Sequence, residues 1–202
     1  MKASETARWC GLSLLAAGLL AIVFMLLHPN EVADPNALAN PLWGPVHLGL
    51  GLAFLLTMFG LIGLHSVQGG KAGMLGLLAT ILSIASTALL AGVILFFEGA
   101  VMPVLATSSA AAELLSPSGP LLAGLAGALL QSLFILTAFA FLLLGYVTYR
   151  AKVLPKWAGI LLMAMAPAVF APPLPFEAAL TGVVLFGLGC MWLGYAMWIG
   201  KK

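Results

Sequence analysis

The sequence predicts an all-α polytopic membrane protein, a single transmembrane domain of six helices with both termini in the cytoplasm. Three observations predict it. Hydrophobic residues form 63% of the 202-residue chain, charged residues form 7%, and mean hydropathy is +1.16. A soluble domain carries about 25% charged residues, so this chain has too few to cover a water-facing surface. The apolar stretches are also continuous, as in Leu48–Leu64 and Leu133–Leu144. Lipid leaves only helices and closed barrels to span it, and barrel strands alternate apolar with polar residues. Finally, the charges sort by side. With spans at Trp9–Leu27, Gly44–His65, Gly73–Phe97, Pro120–Tyr149, Lys156–Ala171 and Phe176–Ile199, all 8 basic residues fall on one face. Basic flanks mark the cytoplasmic side. Glu31, Asp34, Glu98, Glu113 and Glu177 fall on the opposite face, and Glu5 alone breaks the pattern.

Each element follows from local cues. Lys2 and Arg8 before an apolar run resemble a signal peptide, but the run is long and no small-x-small cleavage site follows His28 closely. Retention as the first span is expected. Cys10 lacks a preceding apolar stretch, so it is not a lipoprotein cysteine. Cys10 and Cys190 form no CxxC or metal-ligand spacing and are read as packing residues. The loop from His28 to Trp43 is rich in turn formers, among them Pro29, Asn30, Asp34 and Pro35. It is too short to fold alone.

Span three is expected to run on towards Ala106, with Pro103 bending or ending it. In span four, Ala123–Gly127 and Gly124–Ala128 place small residues four apart, a spacing that lets membrane helices approach within a bundle or between copies. Span five is short and contains Pro167, with Pro172, Pro173 and Pro175 beyond it. A broken helix at membrane depth survives where protein or a cavity covers its freed backbone groups, and a simple kink before a tight outer turn is the plainer reading. Trp9, Tyr146, Tyr149, Trp157, Tyr195 and Trp198 mark inner ends and Trp43 an outer one, as in an interfacial aromatic belt. No internal repeat is evident.

Several function classes lack their residues. No basic patch with interleaved aromatics points to nucleic acid. There is no phosphate loop, nucleophile elbow or dinucleotide fingerprint, no paired intramembrane aspartates and no charge ladder.

Ionisable groups in an apolar zone are costly and therefore functional candidates. His28 ends span one, His47 lies one turn inside span two, Glu98 ends span three and Glu177 opens span six. All four fall near the outer face, below Glu31 and Asp34. Gln131 lies within span four and His65 at the inner end of span two. Imidazole with carboxylate suits proton or ligand binding. It equally suits a transition metal, for which His28, His47 and Glu98 are the candidate ligands. Interfacial polar side chains that bond headgroups are the plainer alternative. Glu98 leads the candidates, because its neighbours from Ile94 to Met102 are apolar and a partner such as His47 would have to compensate its burial. A haem is disfavoured. His47 and His65 share a helix face but lie about 27 Å apart along the axis, and the chain has 3 histidines, too few for two bis-histidine haems.

The set of features resembles a family of uncharacterised bacterial six-helix integral membrane proteins, a domain-of-unknown-function family. The features are His28-Pro29 after span one, Trp43 with His47 opening span two, and Phe96-Phe97-Glu98 closing span three. Val153-Leu154-Pro155-Lys156-Trp157-Ala158-Gly159 leads into span five, and Leu193-Gly194-Tyr195-Ala196 closes span six. The resemblance covers nearly the whole chain and implies a multi-pass protein of the bacterial inner membrane, but no activity.

Three functions remain open. The first is binding or transport of a small ligand or proton at an outer-facing His/Glu site. The second is a non-catalytic accessory subunit that packs against a membrane partner or a second copy. The third is a metal-dependent membrane enzyme. Lipid is the expected partner in all three.

Overall fold

The computed structural model describes residues 5–34, 36–108, 111, 113–116, 118–169 and 174–200. The described residues form helices and turns and no strand. The long helices are α1 (Glu5–Leu26), α2 (Trp43–Gln68), α3 (Gly73–Gly92), α5 (Gly124–Ala151) and α8 (Phe176–Ile199). From α3 the chain runs without a turn through a π-helical stretch, Val93–Val101, into the short α4 (Met102–Ala106). Two short helices, α6 (Lys156–Leu162) and α7 (Met165–Val169), complete the bundle.

Five helices are long and apolar enough to cross a membrane, and the sixth apolar segment, Lys156–Val169, is shorter. The expected fifth span is therefore a broken helix, and its end near Ala171 lies outside the described residues, as do Pro172 and Pro173. The break at Met163–Ala164 sits four residues before Pro167. Proline lacks the N–H that would bond the Met163 carbonyl, and its ring clashes with that carbonyl. Tighter turns take up the freed groups: Met163 N–H donates to Ile160, Ala164 to Leu161 and Ala166 to the Met163 carbonyl.

Large apolar side chains face outwards all along the helices, including Phe59, Phe96 and Leu125, the last 78% exposed. The interior is correspondingly rich in small residues. Between α1 and α8, Gly11 meets Gly194 and Gly18 meets Gly187 backbone to backbone. A methyl group on Gly11 would lie 2.7 Å from the Gly194 carbonyl oxygen. This glycine contact, rather than the expected Ala123–Ala128 stripe, brings helices together inside the bundle. Ala126 and Ala128 lie exposed on the first turns of α5.

Packing puts the charged ends in register. Arg8 Nε donates to the Trp198 carbonyl at 3.1 Å, so α1 begins where α8 ends. Gln68 Nε2 donates to Thr148 Oγ1 at 2.8 Å, joining the ends of α2 and α5. Gly63 packs on Cys10 and Met197. Arg8, Lys71, Arg150, Lys152 and Lys156 thus share one end of the bundle. Lys2, Lys201 and Lys202 lie outside the described residues. The opposite end carries the loop after α1, the start of α2 and the π-helical stretch.

Candidate functional site

Glu98 reaches the site through an irregularity in its own helix. In the π-helical stretch Met102 N–H donates to the Phe97 carbonyl, five residues back. The corresponding donor for the Glu98 carbonyl would be residue 103, which is proline and has no N–H. That carbonyl instead accepts from the Trp43 indole Nε1–H at 2.9 Å. Gly44 permits the approach, because a methyl there would sit 3.1 Å from the Gly99 carbonyl oxygen. π-helical turns cluster at functional sites, and this one turns the Glu98 side chain towards α2.

His47 stands one turn into α2, buried at 3% exposure. Its Nδ1 lies 2.8 Å from the Trp43 carbonyl, and the Trp43 ring stacks on it with centroids 4.3 Å apart. His28 follows the last turn of α1, and its Nδ1 lies 2.7 Å from the Pro29 carbonyl. The two imidazoles meet Nε2 to Nε2 at 3.3 Å. On the far side of His47, its Nε2 is 3.4 Å from Glu98 Oε2. Glu31 Oε2 sits 3.6 Å from His28 Nδ1. Trp43 and Phe176 pack edgewise or tilted against His28, at 5.2 and 5.8 Å.

Carbonyl oxygens only accept, so both Nδ1 atoms carry hydrogen. In a neutral ring the other nitrogen is then a lone pair. His28 Nε2, His47 Nε2 and the Glu98 carboxylate form a row of three acceptors on side chains that are 9%, 4% and 21% exposed.

This row opens on an apolar cavity of about 170 Å³. Met25, Phe54, Phe134, Met165, Phe176 and Phe186 line its body, and His28, Glu31, His47 and Glu98 line its polar end. The broken segment contributes too, through Met165, Ala168 and Val169 of α7. No family model matches the chain, and no curated protein and no solved structure matches it. The bacterial family resemblance therefore rests on the sequence features alone.

Of the four residues expected near the outer face, His28, His47 and Glu98 converge. Glu177 lies in the first turn of α8 and does not line the cavity. Gln131 is exposed on α5. His65 belongs to the other end, with Nδ1 3.4 Å from Thr80 Oγ1.

As metal ligands, His28, His47 and Glu98 depart from expectation. They form two contacts that share His47 rather than three ligands about one centre. Among the described residues no group of three or more His, Cys, Asp or Glu side chains is arranged to hold a metal ion. Trp43, expected in the interfacial belt, is 4% exposed and holds both His47 and Glu98. The sequence signal for that role was its position four residues before a histidine.

Proposed function

We propose that this chain is a multi-pass protein of the bacterial inner membrane that holds a proton among His28, His47 and Glu98 and exchanges it for a small ligand. The contact between the two Nε2 atoms carries the reading. Two lone pairs facing each other at 3.3 Å repel. One proton on either nitrogen turns that repulsion into a charge-assisted hydrogen bond. Glu98 supplies the counter-charge on the other side of His47. His47 and Glu98 stand on helices, His28 follows α1, and carbonyls hold both imidazoles at Nδ1, so the row of acceptors is set before any proton arrives. The cavity beneath gives a ligand access to the same three atoms.

With only 3 histidines in the chain, nitrogen-15 spectra of histidine-labelled protein can be resolved ring by ring. The expected spectrum has both Nδ1 atoms of His28 and His47 protonated and one further proton shared by their Nε2 atoms. Two neutral rings, either of them protonated at Nε2 and bare at Nδ1, would overturn the reading.

The basic end of the bundle faces the cytoplasm in this proposal, which places the His/Glu site near the outer face. A cysteine replacing Glu31 should then react with an impermeant maleimide in intact cells, and one replacing Lys71 only after lysis. The reverse pattern would invert the orientation.

A further inference from the structure

We infer that the ligand taken by this site is a small primary ammonium ion with a single ring or short apolar chain as its body. The inference rests on the proton-holding reading for its exchange partner, and on the cavity for its shape.

The polar end of the cavity sets the head group. His28 Nε2 and His47 Nε2 accept, Glu98 accepts and carries negative charge when ionised, and Glu31 adds a second carboxylate at the mouth. The elements packed around the cavity from α5, α7 and α8 present Phe134, Met165, Ala168, Val169, Phe176, Ala179, Val183 and Phe186, none of them titratable. A ligand that displaces the proton must bring both hydrogen-bond donors and positive charge. Otherwise it leaves a buried carboxylate beside two unmet lone pairs. A neutral alcohol supplies one donor and no charge. A quaternary ammonium supplies charge and no donor. A primary ammonium supplies three donors and one charge. Its entry with loss of one proton keeps the charge of the site constant: R–NH3+ enters, H+ leaves, and no covalent bond changes.

The apolar part of the cavity sets the body. An apolar cavity of about 150 Å³ accepts one benzene ring, and this one measures about 170 Å³. Four phenylalanines and two methionines offer ring edges and polarisable sulfur to an aromatic guest. A ring joined to an ammonium by one carbon pairs an apolar body for Phe54 and Phe186 with a charged head for His47 and Glu98, all of which line the one cavity.

Titration calorimetry of the detergent-purified protein tests this with benzylamine, benzyl alcohol, toluene and benzyltrimethylammonium. Benzylamine should bind at least about tenfold more tightly than the other three. Repeating the titration in buffers of different ionisation heat should show about one proton released per benzylamine bound, and affinity should fall from about pH 8 to about pH 6 as protons compete. Glu98→Gln should weaken benzylamine while leaving toluene unchanged, and Ala179→Leu, which fills the cavity from α8, should weaken every ring-bearing probe.

Equal binding of toluene or benzyltrimethylammonium would overturn the ligand class, as would no detectable benzylamine binding to the wild type. A shared proton in the histidine spectra without benzylamine binding would remove only the ligand. Benzylamine binding without proton release would overturn the exchange, and with the histidine spectra unshared it would remove the proton site as well.

Discussion

The indole nitrogen of Trp43 donates to the carbonyl of Glu98 at 2.9 Å, joining residues 55 positions apart in sequence. The same tryptophan accepts from His47 through its own carbonyl and stacks on the His47 ring. One side chain thus fixes both the acid and the imidazole.

Trp43→Phe separates these duties. Phenylalanine can keep the stack, and the backbone carbonyl is untouched, but the Glu98 carbonyl loses its indole donor, and residue 103 offers no amide in its place. Leaving this part-buried carbonyl without that donor costs about 1–3 kcal/mol. Reversible unfolding in mixed micelles should show a loss in that range. If stability is unchanged, the carbonyl has found another partner and the tryptophan is only a packing residue.

Pro103 is the covalent reason that the Glu98 carbonyl turns to Trp43. Proline withholds the N–H that would otherwise serve Glu98, and its ring crowds the Gly99 carbonyl four residues back. In Pro103→Ala a new amide can close the helix more tightly. The expected result is a more stable helix by up to about 3 kcal/mol, with Glu98 turned away from His47. The measurement pairs unfolding stability with the histidine nitrogen spectrum. A stabilised variant whose His47 signals match the wild type would mean that the π-helical stretch does not depend on the proline.

These two positions show where the sequence was legible. Continuous apolar runs and one-sided basic residues were enough for the helix content, the long helices and their ends near His65, Gly73 and Ile199, because lipid imposes those constraints segment by segment. Pro167 marked an interruption, read most simply as a kink, and the structure has a break between α6 and α7 four residues before it, where the proline ring meets a carbonyl. The π-helical stretch was hidden inside a run from Val93 to Val101 that is apolar apart from Glu98, with no residue pattern that differs from an α-helix. The clue was the relation of Glu98 to Pro103, which matters only once a π-type hydrogen bond is considered. His28 meeting His47 depended on the path of the loop between them, and no periodicity encodes a loop. Glu177 looked equivalent to Glu98 because sequence gives depth in the membrane but not rotation about a helix axis.

The α1–α8 contact should be intolerant of side chains. A methyl on Gly18 would run into the Gly187 carbonyl and the Met191 side chain. The backbone atom cannot move without shifting the helix. Gly18→Val should destabilise the protein by about 1–3 kcal/mol. Gly92 offers a control, since among the described residues nothing lies within 4 Å of a methyl placed there. Gly92→Ala should be neutral or stabilising, by up to about 1 kcal/mol through helix propensity. Equal losses at both glycines would show that helix flexibility, not close approach, is what the sequence protects.

Thr87 reports on the polar stripe of α3. Its neighbours are satisfied: Thr80 Oγ1 donates to the Gly76 carbonyl, Ser83 Oγ to the Ala140 carbonyl across to α5, and Ser86 Oγ to the Ser83 carbonyl. The Thr87 hydroxyl is buried with no hydrogen-bond partner among the described residues. Valine has nearly the same shape without the oxygen, so Thr87→Val removes a desolvation cost and leaves the packing in place. A gain of about 1 kcal/mol or more is expected. Ser83→Ala, by contrast, should lose about 1 kcal/mol by breaking a bond between helices. Measured together by unfolding in mixed micelles, the pair should move in opposite directions. A loss at Thr87→Val would mean that its hydroxyl is engaged in the membrane, by water or by another chain.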